Sequence, residues 1–260
     1  MKRIHFATPA LGIVPNWAAS MLATVDLLRT RYEVEVELLA GVSHVGQARN
    51  RLANGTVRGG YDCLLSIDAD QSWFAEDALA VVTAVLEHGA DGCGAPVPYK
   101  RLVAARVRAL ALAGAPDEVL LSSPETTTGW FGSDMSPDGT YVGPLYVLDD
   151  RPFGRAQSIA SFTCWSADVL RRMSASVPEL HYDLPEEGSA LFESAVVRDT
   201  TGLRRSWIGE DRAACLRALR VGARFLVLLD ADVTHHGAFA YRSFVVPGGQ
   251  PTEWIREPAR

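Results

Sequence analysis

The chain lacks the features that mark several function classes. Its four cysteines, Cys63, Cys93, Cys164 and Cys215, form no CxxC pair. That excludes the usual zinc clusters and leaves buried free thiols in a reducing compartment as the expectation. No apolar run approaches the roughly 20 residues that cross a bilayer, and Met1-Lys2-Arg3-Ile4-His5-Phe6 has no signal-peptide core. A cytoplasmic location is expected. Basic residues are in the minority: 25 Lys and Arg against 31 Asp and Glu, a net charge of −6. Coating nucleic acid by bulk charge is thereby disfavoured. A local basic groove remains open, with Arg49, Arg51, Arg58, Lys100, Arg101, Arg106 and Arg108 as candidates. Glycine is scarce where a nucleotidyltransferase would need a phosphate loop: Ala7 to Pro15 holds only Gly12 and no Lys or Arg.

What is present is an ordinary globular composition, 48% hydrophobic and 22% charged, enough for a sizeable core. Ile4 to Ala7 reads as a strand. Asn16 to Arg29 reads as a helix capped by Asn16, with Met21, Leu22, Val25 and Leu28 on one face. Glu33 to Leu39 alternates as a half-buried strand near a sheet edge. Helix patterns at Val45–Val57 and Ala75–His88 alternate with strand patterns at Cys63–Ile67 and Asp91–Val97. Such repetition implies a mostly parallel central sheet flanked by helices, with ligands beyond the carboxyl ends of the strands. Val103 to Ala113 is a further helix pattern. Pro116 to Pro152 turns to Gly, Pro, Ser and Thr; residues 101–155 read as a variable, acceptor-side insertion with a hairpin or mobile loop. Ser158 to Trp165 resumes the sheet, Ala167 to Ala175 and Glu210 to Arg220 are helices, and Phe225 to Leu229 is a buried strand. The expectation is one α/β domain over residues 1–260.

Leu64-Leu65-Ser66-Ile67-Asp68-Ala69-Asp70 is an apolar strand with two carboxylates at its tip. Residues two apart in extended chain point the same way, so both face one small volume. Paired carboxylates are costly without a cation, and hard oxygen donors suit Mg²⁺ or Mn²⁺. A strand-end turn pair is the structural alternative. Leu228-Leu229-Asp230-Ala231-Asp232 repeats the pattern, so at least one copy is structural.

Further segments in order are Ala48-Arg49-Asn50-Arg51-Leu52-Ala53, Gly94-Ala95-Pro96-Val97-Pro98-Tyr99-Lys100, Gly209-Glu210-Asp211-Arg212-Ala213-Ala214-Cys215 and His235-His236-Gly237. With the acidic strand end, this ordered set resembles the family 2-like glycosyltransferases of GT-A (nucleotide-diphosphosugar transferase) fold, in the compact type common in phages and bacteria. The resemblance spans most of the chain outside 101–155. It implies a nucleoside-diphosphate sugar donor, UDP-sugars favoured, and a divalent Mn²⁺ or Mg²⁺. It places Asp70 and His235 on the metal, ahead of an aromatic run at Phe239 and Tyr241. Asp68 would meet the ribose or the metal's shell, with Ala69 between the two carboxylates. Thr8 and Pro9 would border the base, and Arg49 would lie near the nucleotide or its phosphates. Asp211 would be the general base, and a single base on the face opposite the leaving group would give inversion. Tyr99, Lys100, Trp165, Trp207 and Glu210 fall on the acceptor and sugar side.

Physical chemistry supports these assignments: an attacking hydroxyl needs a base, and a leaving diphosphate needs positive charge. Glu210 and Asp211 also suit a helix N-terminus without any catalytic part. Where the family often carries a small Gly-rich element this chain has Ser161-Phe162-Thr163-Cys164. Trp73, Trp130, Phe131 and Trp207 are aromatic candidates for stacking or for the core. The acceptor is open, with a hydroxymethylated base in phage DNA, a glycan or another hydroxyl in view. The competing readings are a nucleotidyltransferase and a non-catalytic nucleotide-sugar-binding module.

Overall fold

The computed structural model describes residues 1–248 except 11, 101–103, 115–121, 124–125, 131, 136–140, 184–187, 199–204, 238–239 and 244–247. Arg101, Val103, Pro116, Phe131, Phe239 and the side chain of Arg106 lie outside the described residues.

The helices are α1 (Pro15–Leu28), α2 (Val45–Arg58), α3 (Ala75–Leu86), α4 (Ala104–Leu112), α5 (Ala167–Ser176) and α6 (Glu210–Arg220). The first eight strands are β1 (Arg3–Ala10), β2 (Glu33–Ala40), β3 (Cys63–Ile67), β4 (Gln71–Ser72), β5 (Gly92–Gly94), β6 (Ser122–Ser123), β7 (Leu145–Leu148) and β8 (Arg151–Ala156). The remainder are β9 (Phe162–Ser166), β10 (His181–Tyr182), β11 (Gly188–Ser189), β12 (Ala195–Arg198), β13 (Arg205–Ile208), β14 (Phe225–Leu228), β15 (Thr234–His236) and β16 (Ala240–Ser243).

An 8-stranded sheet in the order β2-β1-β3-β9-β5-β14-β8-β7 forms the centre. Six strands run one way; β9 and β8 run against them. This is the mostly parallel α/β architecture expected. Period-two alternation sends side chains of one strand to both faces. Cys63, Leu65 and Ile67 enter one core layer with Trp17, Leu28, Val81 and Val82 of α1 and α3. Leu64 enters the other, with Leu52, Val169, Leu170, Met173 and Cys215 of α2, α5 and α6. All four cysteines are buried free thiols.

Three local details differ from the sequence reading. Helix α1 begins at Pro15 behind Val14, because proline suits the first helical position, so Asn16 does not cap it. Strand β2 does form a sheet edge, but only Val34 is buried; Val36 and Leu38 are exposed. The hairpin expected within 101–155 is part of the central sheet: β7 and β8 turn through Asp149 and Asp150, both at positive φ (48° and 63°), in the tight two-residue geometry that suits strand twist.

A second, four-stranded sheet, β4-β15-β16-β6, lies at the tip of β3. Its β4–β15 pairing sets His235 opposite Gln71, immediately after Asp70. Among the described residues no helix is long and apolar enough to cross a membrane.

Candidate functional site

A cavity of about 320 Å³ opens beyond β1 and β3, lined by Pro9, Ala10, Gly12, Val42, Ser43, Val45, Asp68, Ala69 and Asp70. The carboxyl ends of parallel strands bound it, as that sheet type favours. Gly41, at φ +78°, turns the chain from β2 into its wall. Residues 42, 43 and 45 escaped the sequence reading; the Gly after an alternating strand was the available signal. Pro9 borders the cavity, whereas Thr8 is buried behind it with its hydroxyl unpartnered.

Asp70 and His235 are 165 positions apart in number but adjacent in space. Asp70 Oδ1 lies 3.3 Å from His235 Nε2 and has no hydrogen-bond partner. His235 Nδ1 lies 2.8 Å from the carbonyl oxygen of Pro98. A carbonyl only accepts, so Nδ1 carries the hydrogen and Nε2 is the ring atom that faces the carboxylate oxygen. A proton on Nε2 or a cation between the two atoms would join them. Lys100 Nζ donates to Asp70 Oδ2. Burial opposes ionisation of Asp70, but His235 and Lys100 outweigh it and hold the carboxyl down at about 2. The neighbouring His236 ring contacts Ser72 Oγ at 2.8 Å.

Arg49, on α2, has its guanidinium committed to carboxylates rather than open to the cavity. It donates to both oxygens of Asp68 at 3.0 and 3.1 Å, to Glu210 at 2.7 Å, and pairs with Asp211 at 2.5 Å. The Arg49 side chain is only 7% exposed. Three carboxylates around one cation leave a negative excess. Burial pushes the Asp211 carboxyl up; Arg49 works against this, Asp68 and Glu210 add to it, and the result is about 7. Asp211 and Glu210 occupy the first turn of α6, whose dipole also favours negative charge there.

A second cavity, of about 410 Å³, lies beside two of the carboxylates that Arg49 holds, Glu210 and Asp211. Its walls include Tyr99, Thr127, Thr128, Ser158, Ser161, Trp207, Glu210, Asp211 and Arg212. Trp207 stands 71% exposed on the β12–β13 hairpin. Thr127, Thr128, Ser158 and Arg212 were missed, because small polar residues in loops carry no periodic signal. Ser161 sits at φ +66°, a strained conformation of the kind that gathers at functional sites; its carbonyl accepts from Asp68 N at 2.9 Å.

Trp165, expected on the acceptor side, is instead a core residue. Strand β9 crosses the middle of the sheet, and the indole packs edge-on to Phe192 and Phe225 with its Nε1 donating to Thr163 Oγ1 at 3.1 Å. Phe162 and Trp73 are likewise buried against each other. The duplicate Asp230-Ala231-Asp232 is tied up in ion pairs. Arg151 donates to Asp230 at 2.8 and 2.9 Å and to Asp77 at 2.8 Å, and Arg242 pairs with Asp232. Among the described residues, no group of three or more His, Cys, Asp or Glu side chains is placed to hold a metal ion.

No protein-family model and no curated protein matches the chain. Among solved structures it is similar to A197 from STIV, with a TM-score of 0.50 and 14% identity over 99% of this chain and 100% of that one. It is also similar to TarS of S. aureus, with a TM-score of 0.43 and 13% identity over 94% of this chain and 60% of that one. TarS in complex with UDP-GlcNAc gives a TM-score of 0.42 at 13% identity, over 94% and 58% of the two chains. The A197 likeness, at 14% identity, shows a common fold and nothing of the chemistry.

Proposed function

We propose that the chain is a metal-dependent glycosyltransferase that moves a sugar from a nucleoside-diphosphate sugar, UDP-sugars favoured, to an acceptor hydroxyl. One observation carries the reading: a single buried guanidinium, Arg49, joins Asp68 at the first cavity to Asp211 at the second. A group transferred between two cavities needs a donor on one side, an acceptor on the other and a base at the junction. Asp211 is that base, held near neutrality by burial. It takes the proton from the acceptor hydroxyl as the oxygen attacks the anomeric carbon, and displacement from the face opposite the leaving group inverts the configuration.

Asp70 and His235 fit a divalent cation. Their donor atoms are 3.3 Å apart, and neighbouring ligands of an octahedral cation with bonds of about 2.1 Å lie about 3 Å apart. The Pro98 carbonyl orients the ring, as partners of metal-bound histidines do. A bound Mn²⁺ or Mg²⁺ would supply positive charge for the departing diphosphate. Asp68, locked by Arg49, is disposed toward the nucleotide, and Pro9, Ala69, Val42 and Ser43 shape its cavity. Tyr99, Trp207 and Glu210 fall on the acceptor side.

The test is thermal melting with UDP-, GDP-, TDP- and CMP-sugars, each with and without Mn²⁺. One nucleotide at about 100 times its Kd should raise stability by about 2.7 kcal/mol, only with Mn²⁺, and Asp70→Ala should abolish the shift. No metal-dependent shift with any donor overturns the reading.

A further inference from the structure

The two oxygens of Asp70 face different partners. Oδ1 faces His235 Nε2 at 3.3 Å, and Oδ2 accepts from the Lys100 ammonium. One short segment arranges both: Pro98 orients the His235 ring through its carbonyl, and Lys100, two residues on, occupies the carboxylate. The Lys100 stem is seated as well. A Cβ at Gly237 would come within 3.0 Å of Lys100 Cδ, so the glycine makes room for it.

The charge arithmetic gives the arrangement a consequence. Asp70 is already neutralised by Lys100. A divalent cation arriving alone at Asp70 and His235 meets an ammonium across the same carboxyl group, and like charges in one small volume repel. A diphosphate arriving with the cation offers the ammonium new anionic oxygens, and a lysine on a flexible stem can turn to them. We propose that Lys100 is a resident counter-ion that moves from Asp70 to the donor's diphosphate, making cation binding depend on the nucleoside diphosphate. The inference rests on the cation reading of Asp70 and His235. It adds that Lys100 strengthens the coupling between the two ligands, which by linkage acts equally in both directions.

Mn²⁺ binding followed by electron paramagnetic resonance, with and without UDP, separates the possibilities. In the wild type, saturating UDP should tighten Mn²⁺ binding by more than tenfold, within the usual range for linked sites. Lys100→Met should bind Mn²⁺ alone more tightly and UDP–Mn²⁺ more weakly, cutting the coupling about tenfold. Lys100→Arg, which keeps the charge, should restore most of it. Unchanged Mn²⁺ affinity and coupling in Lys100→Met would leave Lys100 a surface ion pair and overturn this inference alone. A wild-type protein that binds no Mn²⁺ even with UDP overturns the cation reading, and the inference with it.

Discussion

Asp211 shows how one residue acquires a chemistry that its type does not predict. A free aspartate is fully ionised at neutral pH and a weak base. Burial among Asp68 and Glu210 raises its carboxyl to about 7 despite Arg49. The base form therefore appears as pH climbs through about 7, so transfer should rise across that range and level off above it. Asp211→Asn should leave UDP–Mn²⁺ binding intact in calorimetry and lower kcat by about 10²–10⁴-fold. Stability carries the opposite sign. Between about 4 and 7 the folded chain keeps the Asp211 proton while the unfolded chain has lost it, so this group's contribution declines as pH rises. Urea titrations should show that decline flattened in Asp211→Asn. Asp211 was legible from the sequence as a carboxylate opening a helix. The role of Arg49 was not, because its partner Glu210 lies 161 positions away.

The two Asp-Ala-Asp strand ends are indistinguishable as elements of sequence, and their neighbours separate them. Strand β15 pairs with β4 and brings His235 to Asp70. The β7–β8 hairpin brings Arg151 to Asp230 and Asp77. Arg151 holds a network in which Asp77 is almost fully buried and has its carboxyl raised, first by burial. Arg151→Ala should cost about 1–3 kcal/mol in urea unfolding, the scale of an unsatisfied buried group, while the Mn²⁺-dependent shift with nucleotide persists. Asp232→Ala should also retain the shift; its loss would transfer the donor site to the second acidic pair.

Across the whole molecule the sheet joins two core layers, and β9 does so by entering antiparallel between β3 and β5. Trp165 on that strand is 2% exposed and bridges Phe192 and Phe225. Trp165→Ala should lower stability by about 3–5 kcal/mol, read from the urea midpoint. The same indole lines a small internal cavity beside Arg49 and Asp211, so its loss should weaken transfer as well as the fold. The sequence by itself determined the main helices, the apolar strands β3, β9 and β14 and the acidic tip of β3, because periodicity and apolar runs are local properties of a chain. Only the tertiary structure decided which acidic pair faces a histidine, where Arg49 spends its charge and that Trp165 is core. Those outcomes depend on the pairings of β4 with β15 and of β9 with β3 and β5, and such non-local pairings are set by packing and register rather than by any residue's neighbours in sequence.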